Sequence, residues 1–107
     1  MKKIIVLGGS GFIGSCLSDQ LAKTGRYKVI IVDLVKKKKI IKNKIFWKVN
    51  LLKLQNYKSI FKNVDYVFNF AALADLDEAK NKPLETAEVN VLGTVNALLI
   101  SKKNFIK

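Results

Sequence analysis

Gly8, Gly9 and Gly11 crowd into the stretch IIVLGGSGFIGS, residues 4–15, and Gly14 follows one helical turn behind Gly11. Glycine weakens helix and strand alike, so such a cluster needs a use. Two spacings fit a turn that cradles phosphate: Gly9-x-Gly11-x-x-Gly14 and Gly8-x-x-Gly11-x-x-Gly14. In either register the first glycine makes the tight turn. Gly11 has no side chain to fend off a diphosphate, and Gly14 lets a helix lie close to a strand. The N-terminus of that helix offers N–H groups and a partial positive charge to the phosphates.

Such a motif counts only between a strand and a helix. Residues 3–7, KIIVL, read as a short buried strand, and residues 12–24 as a helix. Ile13, Leu17 and Leu21 form one apolar stripe on that helix, and Gly25 stands where a C-terminal glycine belongs. A second buried strand, 27–33, ends in Asp33, nineteen residues after Gly14. An acid there accepts hydrogen bonds from the adenosine ribose hydroxyls and repels a 2′-phosphate. Its other use is to cap a turn. Motif, spacing and element order together point to a dinucleotide site. The lysines at 36–39 could hold a 2′-phosphate, but the acid at the strand tip favours NAD over NADP.

Further elements follow from pattern. Residues 36–43 read as a polar connection and 44–49 as a third strand. Residues 54–63 read as a short helix with Leu54, Tyr57 and Phe61 on one side, and 64–72 as a strand running into small residues. Pro83 opens a helix in which Leu84, Ala87, Val91, Val95 and Leu98 keep a helical period to about residue 102. Continuous apolar strands alternating with helices imply an α/β fold with a parallel sheet covered on both faces. Right-handed crossovers make it doubly wound, Rossmann-type and incomplete, with about four strands in the order 3-2-1-4. The chain reads as one domain, residues 1–107.

Composition narrows the chemistry. Half of the residues are apolar, which suits a globular chain. There is no histidine and a single cysteine, Cys16, so a Ser-His-Asp triad, an internal disulfide and a cysteine-rich zinc site are excluded within these residues. The net charge of +12 is concentrated in residues 36–62, which hold ten lysines and no acid. That stretch could meet nucleic acid or anionic lipid. Arg26 is the only arginine, however, and bidentate base or phosphate recognition favours arginine, so a solvated lysine face is preferred. The opening MKKIIVLGGSGFIGSC has the charge and apolar order of an export signal, but glycines break its apolar stretch. No run reaches the ~18 apolar residues of a membrane span. A cytoplasmic protein without a membrane is expected.

The sequence resembles the N-terminal part of an extended short-chain dehydrogenase/reductase, and within that group the NAD-dependent epimerase/dehydratase family that acts on nucleotide sugars. The resemblance runs through GGSGFIG at 8–14, Asp33, NLL at 50–52, FNFAAL at 68–73 and NVLGT at 90–94. It implies that Phe12 and Ile13 lie along the diphosphate with their backbone N–H groups. It places Asn50 and Leu51 against adenine, although the family's pair normally begins with Asp. The Asn50 oxygen would accept from the adenine amino group. Phe70, Ala71 and Ala72 would pass close to the cofactor riboses, and Asn69 stands where the family often has His. Asn90 matches a residue that orders the nicotinamide end. The resemblance also raises a homodimer built on helices from the 83–102 region.

The family's chemistry needs Tyr-x-x-x-Lys, in which the lysine lowers the tyrosine pKa so that the phenol exchanges a proton with the sugar hydroxyl. Tyr27, Tyr57 and Tyr66 are followed four residues later by Ile31, Phe61 and Phe70. These residues therefore read as a cofactor-binding portion with no catalytic residue of their own. A nucleotide sugar would be met only in a complete enzyme. The alternatives are a non-catalytic, redox-sensing dinucleotide module and, behind it, a lysine-rich nucleic-acid binder.

Overall fold

The computed structural model describes residues 1–36, 44–73 and 75–107. The lysines at 37–39 and most of the connection expected at 36–43 lie outside the described residues. Four strands form one parallel sheet: β1 (Lys2–Leu7), β2 (Tyr27–Asp33), β3 (Lys44–Lys48) and β4 (Tyr66–Asn69). Their order is β3-β2-β1-β4, as the crossover rule requires. β1 is central, with Ile4 opposite Val29 on one side and Tyr66 on the other. β1 and β2 are continuous apolar runs because both of their faces are covered: Ile4–Leu7 and Val29–Val32 are all buried.

Helix α1 (Phe12–Lys23) covers one face. The side it buries is Gly14, Ser15, Ser18 and Ala22; of the Ile13–Leu17–Leu21 stripe, Leu17 and Leu21 are half-buried, with Leu21 packed at the margin of the same core. Small residues let the helix lie close over Ile4, Val6, Val29 and Ile31. Ile13 stays 62% exposed. Ser18 is fully buried and satisfies its hydroxyl on the Ser15 carbonyl at 3.0 Å. The helix closes where expected: Gly25 has φ +68° and donates to the Ala22 carbonyl at 3.2 Å. An ion pair between the buried Lys44 ammonium and Asp19 ties edge strand β3 to α1.

The opposite face carries the larger core. Ile5, Leu7, Ile30 and Val32 meet Leu54, Phe61, Ala97 and Ile100 there. The segment expected as a helix over 54–63 is a 3-10 run, Leu51–Phe61, irregular at Lys53 and Tyr57. Leu54 and Phe61 are fully buried, so the apolar side read from sequence survives the change in winding. The expected strand 64–72 is ordered as β4 only over Tyr66–Asn69. A short helix, α2 (Leu76–Asn81), follows it and is capped by the Asp75 side chain on Glu78 N–H.

The helix expected over 83–102 spans α3 (Pro83–Ala87), a π turn (Glu88–Gly93) and α4 (Thr94–Lys103). Its buried residues are Gly93, Ala97 and Ile100, whereas Leu84, Val91, Val95 and Leu98 face outward. A side chain at Gly93 would strike Leu51, so the glycine lets the helix reach the 3-10 run. Asn96 completes that seam by donating to the Leu51 carbonyl at 3.1 Å.

Candidate cofactor site

Strand order puts the carboxyl ends of β1, β2, β3 and β4 along one edge, where open α/β sheets bind ligands. A groove of about 350 Å³ lies there. Eight of the twelve sequence-predicted residues line it: Gly8, Gly11, Asp33, Asn50, Leu51, Phe70, Ala71 and Ala72. Phe12, Ile13, Gly14 and Asn90 do not line it. Gly14 and Asn90 instead shape its walls.

The glycine turn is held by backbone. Gly8 N–H donates to the Val32 carbonyl at 2.8 Å, and Gly11 N–H to the Gly8 carbonyl at 3.1 Å. Gly8 has φ +74°, and a Cβ there would lie 2.6 Å from the Ala71 nitrogen and the Phe70 carbonyl carbon. Only glycine fits both demands. A Cβ on Gly14 would lie 2.2 Å from the Gly8 oxygen, so Gly14 lets helix and strand close together. Gly11 differs. A Cβ there meets nothing nearer than the Gly8 oxygen at 3.4 Å, so the space beside it is open. That opening stands at the start of α1, where no side chain caps the helix. The N–H groups of Phe12, Ile13 and Gly14 precede the first helical bond, Ser15 N–H to the Gly11 carbonyl. The two apolar side chains point away, Phe12 at 90% exposure. Backbone N–H groups at a helix start, beside an open approach at Gly11, suit a diphosphate.

Asp33 faces the same groove. One carboxylate oxygen accepts the Ser10 N–H at 3.0 Å, which ties the glycine turn to the tip of β2. The other accepts Leu34 N–H at 2.7 Å and Val35 N–H at 3.3 Å. The acid is therefore both a turn cap and a groove residue; the two readings of it coexist. Oδ2, which accepts only the Ser10 N–H, has a further lone pair for a ligand hydroxyl. The Lys36 ammonium lies 6.0 Å from the Phe46 ring centre.

Asn50 caps the 3-10 run: its Oδ1 accepts Leu52 N–H at 3.0 Å. The oxygen expected to serve a base is thus already engaged by backbone. Leu51 packs beneath, 6% exposed. At the far end, Phe70 N–H donates to the Leu7 carbonyl at 2.8 Å and Asn69 Oδ1 accepts Ala71 N–H at 3.1 Å, so the chain leaves β4 in a set turn. Asn90 then holds the next residue from both sides. Leu73 N–H donates to Asn90 Oδ1 at 2.9 Å, and Asn90 Nδ2 donates to the Leu73 carbonyl at 3.2 Å. The π turn frees the helix backbone locally, and Thr94 Oγ1 caps the Asn90 carbonyl at 2.6 Å.

Sequence reasoning missed the contribution of Glu85 and Val89, which line the groove from the α3–π segment. Their four-residue spacing puts them on one helical side, next to Asn90. That spacing was the available signal.

With this geometry in place, comparison with known proteins is decisive at the family level. The model of the NAD dependent epimerase/dehydratase family matches residues 4–107. The chain belongs to this family. It is 33% identical over 104 residues to UDP-glucuronic acid decarboxylase 6 of Arabidopsis thaliana, covering 94% of this chain and 30% of that protein. The UDP-glucose 4-epimerase of Thermotoga maritima, solved with UDP-glucose, superposes with a TM-score of 0.87 at 33% identity, over 98% of this chain and 35% of the epimerase chain. The L-threonine dehydrogenase of Clostridium difficile superposes equally well, TM-score 0.87 at 31% identity, over 100% of this chain and 35% of that one. The chain spans between 16% and 34% of the length of the first curated epimerase and decarboxylase relatives it matches. Epimerase/dehydratase family membership thus agrees with the sheet order and with the strand–glycine turn–helix at its edge. No helix among the described residues is long and apolar enough to cross a membrane.

Proposed function

We propose that this chain is the NAD-binding portion of an enzyme that transforms a nucleotide sugar. One observation carries the reading: Asp33 and the open space at Gly11 share one groove, and the Ser10–Asp33 hydrogen bond sets their spacing without a ligand. The diphosphate would lie at Gly11 on the N–H groups that open α1. The adenosine ribose hydroxyls would donate to Asp33. Phe70, Ala71 and Ala72 would flank the second ribose, with small residues allowing close approach. NAD bound there supplies a hydride acceptor for a sugar carbon. The protein's own part is to bind and orient it along the strand ends and, through Asn90, to hold the β4 exit against it.

The nucleotide-sugar class comes from the relatives, which include UDP-sugar epimerases and decarboxylases. Asp33 favours NAD, because a 2′-phosphate would face a carboxylate.

Calorimetric titration of the whole chain with NAD and with NADP tests this, beside a thermal melt. Saturable NAD binding, at least tenfold tighter than NADP and lost in Gly11→Asp, is the expected result. A chain that melts cooperatively yet binds neither would overturn the site.

A further inference from the structure

Asn50 lines the groove just beyond β3, with its amide orientation set by one hydrogen bond. Only Oδ1 can accept Leu52 N–H, so the 3.0 Å bond between them leaves Nδ2 as the other end of the amide. Among the described residues Nδ2 has no protein partner. The side chain is half-buried and lines the groove. We propose that Asn50 offers this N–H₂ group to the 6-position of a purine, so that the chain accepts a 6-oxopurine dinucleotide at least as well as the 6-aminopurine one. The inference rests on the dinucleotide reading above and deepens it.

The position of the base follows from the order of the strands. With the diphosphate at the β1–α1 turn and the ribose at the tip of β2, the base comes next, at the tip of β3. Val49 N–H donates to the Asp33 carbonyl at 3.1 Å, so the two strand tips adjoin and Asn50 is the next residue along. Adenine presents an amino group at position 6. Two N–H₂ groups facing each other satisfy neither, and an unpaired donor taken from water is costly. A 6-oxo group accepts from Nδ2. A carboxylate at this position would cap Leu52 with one oxygen and turn the other, an acceptor, toward the base. Position 50 therefore sets which purine edge is read, and asparagine gives it the opposite sign from aspartate.

The test measures Kd for NAD and for nicotinamide hypoxanthine dinucleotide, on the natural chain and on Asn50→Asp. Aspartate is as good a cap as asparagine, so the variant keeps its fold, and a matching thermal melt verifies that. The natural chain is expected to bind the hypoxanthine dinucleotide as tightly as NAD or tighter. In Asn50→Asp the ratio is expected to move about tenfold or more toward NAD. An unchanged ratio, or a natural chain that prefers NAD tenfold, would overturn the proposal; the second lone pair of Oδ1 would then be serving the adenine amino group. If neither dinucleotide binds either folded protein, the dinucleotide reading itself fails, and this inference falls with it.

Discussion

At its β1–β2 end the groove is walled by backbone against backbone, whereas at its β4 end one side chain holds the wall from across the fold. Gly8, Gly11 and Gly14 shape the first end through contacts that tolerate no added atom at Gly8 or Gly14. The second end depends on the paired hydrogen bonds between Asn90 and Leu73, residues seventeen positions apart. Steric walls fail abruptly when an atom is added. A hydrogen-bonded wall loosens when one is removed. The two ends should therefore respond to substitution in different ways.

The sharpest break comes from Gly14→Val. Its Cβ would overlap the Gly8 oxygen, and the turn would have to open. A loss of about 3 kcal/mol or more is expected, read as a lower midpoint in urea. Gly14→Ala should lose nearly as much, since alanine's helix-propensity gain of about 1 kcal/mol offsets only part of the clash. Asn90→Ala comes next. It strips the partners from Leu73 N–H and C=O and should cost about 1–3 kcal/mol. Hydrogen exchange should quicken at Leu73 and leave Gly8 and Gly11 unchanged; quickening at both ends alike would erase the distinction drawn here. Gly11→Ala has the smallest effect on stability, within about 0.5 kcal/mol, because its Cβ would make only an ordinary contact, 3.4 Å from the Gly8 oxygen. NAD affinity should nonetheless fall at least tenfold. A Gly11→Ala chain that binds NAD normally would mean that the space beside Gly11 is not where the diphosphate lies.

The same contrast explains what could be read from sequence. The glycine turn was legible because its constraints are local: a strand, a turn and a helix N-terminus within a dozen residues. Sheet order was legible too, since apolar runs and crossover handedness leave few choices. The helices were legible as helices but not in orientation. Periodicity finds an apolar stripe, but α1 buries the small residues Ser18 and Ala22 and leaves Ile13 exposed, and α4 buries Ala97 and Ile100 rather than Val95 and Leu98. Close approach to a sheet selects for size, which a hydropathy pattern does not report. The 3-10 run at Leu51–Phe61 keeps the apolar side expected of an α-helix, so pattern alone could not separate the two. The π turn adds one residue to a single helical turn, too little to disturb the period. The role of Asn50 was half legible: its place at the base was expected, but the capping bond that commits its oxygen depends on backbone geometry at Leu52.

The central place of β1 has a consequence for how the molecule assembles. β1 precedes all its partners in the chain, yet it needs β2 on one side and the much later β4 on the other. Parallel pairing of this kind is non-local, and non-local closure is slow. Until Tyr66–Asn69 is in place, one side of the strand leading into the glycine turn is bare, and Phe70 and Ala71 have not yet closed over Gly8. The binding edge is thus among the last parts to mature. A nascent or refolding chain would have β1, β2 and β3 paired before it has anywhere to put a cofactor, and during that interval β1 is the segment most open to pairing with the wrong neighbour.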